Sequence, residues 1–274
     1  MIEIIQQMFA YNFIVRALIV GALIALCSSL LGVSLVLKRY AMIGDGLSHI
    51  GFGALAFATA MNWAPLKVTV PVVILAAFLL LRLSDSSKIK GDAAIAMIST
   101  GALAIGILIA SVTTGMNTDI NNYLFGSILA MSGKDLVLSV VLSMLVLILF
   151  VIFYNKIFAV TFDETFAQAT GTKTGLYNML IAFLTAITIV LGMRIMGALL
   201  ISSLVIFPPL TAMRICKSFK SVILCSACIA IFSVFVGIVS SFILSTPTGA
   251  SIVVINVIMF VIFACIGLTK KVVN

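Results

Sequence analysis

The chain contains one histidine, and it stands four residues after an aspartate. His49 follows Asp45 in the run Arg39-Tyr-Ala-Met-Ile-Gly-Asp-Gly-Leu-Ser-His-Ile-Gly-Phe-Gly53. On a helix, a spacing of four stacks the two side chains on one face. Deprotonated, the pair offers one oxygen and one nitrogen donor, a set that suits divalent transition-metal ions. The run opens a strongly apolar stretch, where an ionisable side chain costs about 2.5–3.5 kcal/mol on insertion scales and therefore marks function. The competing reading of His49 is a packing histidine hydrogen-bonded to Asp45.

The elements that must position this pair are membrane helices. Of the 274 residues, 63% are hydrophobic and 9% charged, and the mean hydropathy is +1.35. Uninterrupted Leu/Ile/Val/Ala runs without period-two alternation read as spanning helices and exclude a barrel. Nine candidate spans follow: Phe13–Leu37, Ala41–Met61, Val68–Leu83, Ala93–Val112, Leu136–Tyr154, Leu176–Met193, Ile195–Met213, Val222–Leu244 and Ala250–Leu268. The expected fold is all-α, a polytopic integral membrane bundle of eight or nine transmembrane helices forming a single transmembrane domain over residues 1–274. Leu124–Met131 is too short to span and reads as re-entrant or interfacial. Met1–Tyr11, which lacks a basic n-region, reads as a short interfacial segment rather than a cleavable signal.

The net charge of +8 follows the positive-inside rule better than it suits a nucleic-acid partner. Twelve of the sixteen basic residues, Lys38, Arg39, Arg82, Lys88, Lys90, Lys156, Lys173, Arg214, Lys217, Lys220, Lys270 and Lys271, fall at alternate turns. That split puts those turns and the C-terminus in the cytoplasm. Cys27, Cys216, Cys225, Cys228 and Cys265 lie in or beside apolar spans. None has the loop context of a disulfide, and the Cys225/Cys228 CxxC reads as packing.

Two further stretches stand out. The longest cytoplasmic connection, about 155–175, holds a helix that Asp163 or Thr161 can cap and Gly171 can stop. It is either a surface linker or a helix lying at the cytoplasmic face with Phe162 and Phe166 exposed for a partner. Gly192–Gly197 is a tight junction between spans. The following Pro208-Pro209 pair calls for a kink or break, as in path-lining helices and in simple packing kinks. The glycines and serine around His49 let helices approach closely or leave room for an ion. No phosphate-binding Gly-x-x-x-x-Gly-Lys-Ser/Thr loop and no Ser/His/Asp constellation occurs, so an enzyme reading is poor.

Four stretches together carry a resemblance over nearly the whole chain. They are Lys38-Arg-Tyr-Ala-Met-Ile-Gly-Asp-Gly-Leu-Ser-His49, Leu124-Phe-Gly-Ser-Ile-Leu-Ala130, Gly197-Ala-Leu-Leu-Ile-Ser-Ser-Leu-Val-Ile-Phe-Pro208 and Thr246-Pro-Thr-Gly-Ala-Ser-Ile-Val-Val254. In that order they resemble the membrane permease subunit of ABC-type zinc/manganese/iron importers. The resemblance implies two cytoplasmic ATPase subunits, an extracytoplasmic metal-binding protein, and a permease homodimer or a pair of related permeases in the bacterial cell membrane. It implies that Asp45 and His49 lie on the metal path, with the ion as transported substrate and no permanently bound cofactor. It implies that residues 158–172 form the segment docking on the ATPase, through Phe162, Asp163, Glu164, Phe166, Ala167 and Gly171. The chain departs from the family in having Gly51-Phe-Gly53 where many members have Leu-Pro-Gly. An ABC permease for a metal chelate or cobalamin-type cargo, and a gradient-driven secondary transporter, are the alternatives at this point.

Overall fold

The computed structural model describes residues 11–86, 91–113, 126 and 133–273, and the structural statements below concern those residues. They form eleven helices: α1 (Asn12–Leu37), α2 (Ile43–Ala60), α3 (Pro65–Ser86), α4 (Gly91–Val112), α5 (Gly133–Ile152), α6 (Tyr154–Phe162), α7 (Glu164–Ala169), α8 (Thr174–Met196), α9 (Ala198–Ala212), α10 (Phe219–Leu244) and α11 (Thr248–Val273). No strand occurs among them. Of the segments singled out from the sequence, 124–131 except Gly126, and 1–10, lie outside the described residues.

Each of the nine apolar stretches falls on a helix, but not every such helix is long and apolar enough to cross a membrane by itself. Five are: α1, α4, α8, α10 and α11, with a sixth if α5 and α6, bent by 70° at Phe153, form one broken span. The expected count of eight or nine is therefore not reached by length and composition. The shortfall is physical. α9 has only 15 residues and starts at a glycine turn, and α2 has 18 with Asp45 and His49 among them.

The bundle is layered by burial. In its most apolar window α8 is 78% buried, whereas α11 is only 11% buried and presents Val254, Val257, Val261 and Ile262 outward. α2 packs against α3, α4 and α9, while α1 packs against α5, α8, α9 and α10. Several hydroxyls inside the spans bond to their own helix, as Ser28 does to Ile24 O (2.7 Å) and Thr188 to Leu184 O (2.8 Å), a partner that is always within reach of a helical serine or threonine. The α5–α6 bend carries an aromatic cluster, with Phe150 against Tyr154, Phe153 against Tyr177, and Tyr154 and Phe158 against Phe219.

α9 is set by backbone chemistry at both ends. It starts after Gly197, whose φ of 89° favours glycine. A Cβ on Gly126 would lie 2.2 Å from the Met196 carbonyl, so the one described residue of the Leu-Phe-Gly motif abuts this turn. The helix then runs through Pro208 and Pro209 without interruption. Pro209 has no N–H for the Val205 carbonyl four residues back. Gly32 of α1 comes up against that carbonyl: a Cβ there would sit 2.2 Å from Val205 O. Close approach of α1 thus covers the carbonyl that Pro209 leaves without a donor.

Candidate metal-ion site

The site begins with how α1 turns into α2. Arg39 N–H donates to Val36 O (3.1 Å) and Tyr40 N–H to Leu35 O (2.8 Å), the paired bonds that end a helix in a left-handed residue. That residue is Arg39, at φ 63°, where glycine is usual. The sharp turn places Asp45 in the first turn of α2, whose N-terminus has no side-chain cap. The positive end of the helix therefore favours the carboxylate. Ser48 donates to Asp45 O (2.7 Å) and fixes the local backbone.

The two sequence-selected residues meet. His49 Nε2 lies 3.3 Å from Asp45 Oδ2, with side chains 24% and 38% exposed respectively. The other carboxylate oxygen accepts from Ser202 on α9, Oγ to Oδ1 at 3.2 Å. His49 Nδ1 is buried without a hydrogen-bond partner. An Nε2–H donated to Asp45 leaves Nδ1 a bare acceptor. Two ligands about 2.1 Å from one ion stand about 3.0 Å apart at right angles and about 3.4 Å apart at tetrahedral angles. The observed 3.3 Å lies in that interval, so both side chains can close on one ion with little movement. Among the described residues no group of three or more His, Cys, Asp or Glu side chains comes together.

The small residues around His49 are occupied by neighbours. A Cβ on Gly46 would lie 2.7 Å from Ile95, one on Gly51 2.8 Å from Met193, and one on Gly53 2.6 Å from Ala102 O. The α2 glycines serve close packing against α3, α4 and α8 rather than holding space for an ion.

The 155–175 connection forms α6, α7 and a turn. Of the two candidate caps Asp163 is the one used, its carboxylate accepting from Phe166 N–H at 2.9 Å. That bond, with Thr165 Oγ1–H, holds the Asp163 carboxyl below its ordinary range. Gly171, at φ 82°, ends the segment. Phe162 and Phe166 are 71% and 66% exposed while Ala167 is buried. Glu164 binds Lys38 at the end of α1 (3.0 Å) and accepts from Asn178 Nδ2 of α8 (2.7 Å), and Lys38 also donates to Asn178 Oδ1. A cavity of about 450 Å³ opens beside Arg82, Glu164 and Asn178, where α3, α7 and α8 meet. Ser202, Lys38 and Asn178 were not selected from the sequence as site residues. Ser202 lies inside the Gly197–Pro208 motif, but only the packing of α9 on α2 puts it beside Asp45.

The described helices make this a multi-pass membrane protein, with an Asp–His pair set against α9 within the bundle. Residues 10–267 match the ABC 3 transport family, and the chain belongs to that family. It is 30% identical over 262 residues (95% of this chain, 93% of the relative) to the manganese import system permease protein ScaB of Streptococcus gordonii. It is 27% identical over 252 residues (92% and 97%) to the high-affinity zinc uptake system membrane protein ZnuB of Haemophilus influenzae. Its fold superposes on PsaBC from Streptococcus pneumoniae, solved in complex with Fab, with TM-score 0.85, 28% identity and coverage of 96% and 95%.

Proposed function

We propose that this chain is the membrane permease of an ABC importer that moves a divalent transition-metal ion, zinc, manganese or iron, into the cytoplasm. Asp45 and His49 ligate the ion in transit. The observation that carries this reading is the 3.3 Å Asp45–His49 pair on a packed α2, in a chain whose family relatives include permeases named for manganese import and zinc uptake. Membership in an ABC transport family speaks against a gradient-driven carrier. The Asp–His pair favours a bare ion over an organic chelate, which needs no such ligands.

A cation leaving water needs substitute donors, and Asp45 supplies charge while His49 supplies a nitrogen. Both bind only when deprotonated, so transport weakens in acid. Two such ligands, one beside the positive end of a helix, hold an ion weakly, and a conduit must release what it takes. A second copy across a dimer axis would double the set. α2, α3 and α9 complete eight or nine crossings, with α7, Lys173 and the C-terminus on the cytoplasmic side of a bacterial cell membrane. Two ATPase subunits dock there on the segment formed by Phe162, Asp163, Glu164, Phe166, Ala167 and Gly171, with Phe162 and Phe166 outermost and Ala167 seating the segment on the bundle. An extracytoplasmic binding protein delivers the ion, and ATP is hydrolysed by the partner chains.

The test is uptake of radiolabelled zinc and manganese in vesicles with the ATPase and binding protein reconstituted, for wild type and His49→Ala. ATP-dependent uptake of one metal, lost in the variant, is expected. Full uptake by the variant makes His49 a packing residue, and absence of ATP-dependent metal uptake in wild type overturns the metal reading.

A further inference from the structure

We infer that Ser202 is a third ligand of the ion site, a hydroxyl oxygen brought from α9 to stand beside the Asp45/His49 pair of α2. The inference rests on the metal-ion reading of that pair and adds an oxygen donor from a second helix.

The hydroxyl has one proton and two acceptors within reach. Ser202 Oγ is 3.2 Å from Asp45 Oδ1 and 3.0 Å from Ala198 O, one turn earlier on α9. With no ion present, the proton can be shared with the carboxylate and damp its charge. When a cation meets Asp45, a proton aimed at the carboxylate is repelled. Rotation about the Cβ–Oγ bond then points the O–H at the Ala198 carbonyl oxygen, which accepts it, and turns the oxygen lone pairs toward the ion. The hydroxyl stays neutral, no proton leaves the site, and no buried donor loses its partner. Ser202 Oγ faces Oδ1 while His49 faces Oδ2, so an ion shared by all three residues is bound by Asp45 through both oxygens. The 3.2 Å Oγ–Oδ1 separation suits two ligands of one ion, about 3.0–3.4 Å apart for bonds near 2.1 Å.

The far side of α9 explains why the hydroxyl is held there. Ser203, the next residue, is buried and accepts from Asn256 Nδ2 of α11 at 3.4 Å, with Asn256 fully enclosed. Gly32 of α1 and Gly126 clasp the helix at Val205 O and at the Met196–Gly197 peptide. α9 is therefore fixed on three sides, and Ser202 projects toward Asp45. An added neutral oxygen makes the site harder, favouring ions such as manganese over softer ones such as cadmium.

The experiment is equilibrium dialysis of the purified permease–ATPase complex, without the binding protein, against radiolabelled manganese and, separately, cadmium. The proteins compared are wild type, Ser202→Ala, Ser202→Thr, Ser202→Cys and His49→Ala. Loss of a supporting oxygen is expected to weaken manganese binding roughly tenfold or more in Ser202→Ala, with recovery in Ser202→Thr. Ser202→Cys, which keeps the side-chain size and so tests the idea even where the alanine variant folds poorly, is expected to raise the cadmium-to-manganese preference. A merely structural serine would not move that ratio. Wild-type manganese affinity in Ser202→Ala, or an unchanged ratio in Ser202→Cys, overturns the inference. If His49→Ala loses binding in the same experiment, the metal reading survives that failure; if His49→Ala binds as wild type, the metal reading fails with it.

Discussion

The Asp45/His49 region and the α7 segment lie at opposite extremes of how a membrane protein holds its parts. Around His49 the backbone itself is in contact. Gly53 of α2 meets the Ala102 carbonyl of α4, Gly106 meets Gly53, and Gly32 meets the Val205 carbonyl. α7 has six residues, one buried side chain, its own cap, and a network through Glu164 to Lys38 and Asn178, with a cavity beside it. Interlocked backbones have few alternative arrangements, whereas a few polar side-chain contacts at the edge of the bundle, with Glu164 partly exposed, can be exchanged more easily. The difference teaches that ligand geometry is built on the rigid part and partner contact on the adjustable part.

The most severe way to break that contrast is to add bulk where backbones touch. Gly53→Val, facing a carbonyl, is expected to cost at least the 1–3 kcal/mol typical of overpacking and to lower the thermal unfolding midpoint of the detergent-purified protein. The same change at Gly171, which has open space around it, strains only the local turn. Next in size, Asp45→Asn keeps the shape and removes the charge. Metal uptake is expected to fall more than tenfold with the unfolding midpoint near wild type, since ion ligation and not packing is lost. Phe166→Ala removes an exposed ring; co-purification of the ATPase is expected to weaken severalfold while metal binding by the permease stays unchanged.

Smaller effects come from the polar network. Lys38→Met leaves Glu164 with Asn178 and is expected to change stability by no more than about 1 kcal/mol, read as a shift of the denaturation midpoint. The smallest concerns pH. The Asp163 carboxyl is held below its ordinary range by the Phe166 N–H and the Thr165 hydroxyl. The cap is therefore fully present above the ordinary carboxylate range and is lost as pH falls through the lowered value. Hydrogen exchange of the 164–169 amides is expected to speed up on acidification relative to the ordinary pH dependence of exchange, and Asp163→Asn, which caps without charge, is expected to abolish that excess.

How much was legible depended on the range of the interaction. Hydropathy marked nine helical stretches because the bilayer filters sequence locally; five or six of those helices are long and apolar enough to cross by themselves. α9 owes its place to its neighbours, and α5–α6 bends at an aromatic cluster that spans α8 and α10. The double proline suggested a kink or break; the helix is not broken there, and Gly32, far away in sequence, comes up against the freed carbonyl. The glycines of α2 allowed two readings, and only the contacts with Ile95, Met193 and Ala102 chose packing over space.

Residue type and spacing by themselves determined the all-helical membrane character, the Asp45–His49 pair, and the Asp163-to-Gly171 segment. These rest on apolar run length, an i, i+4 relation and a cap three residues from its donor, all properties of a few consecutive residues. Tertiary structure decided that Ser202, 157 positions from Asp45, faces the carboxylate, and that Lys38, 126 positions from Glu164, tethers α7 to α1. No local pattern specifies which distant helices pack together; that choice is made by the fit of small residues against carbonyls and side chains across the whole bundle.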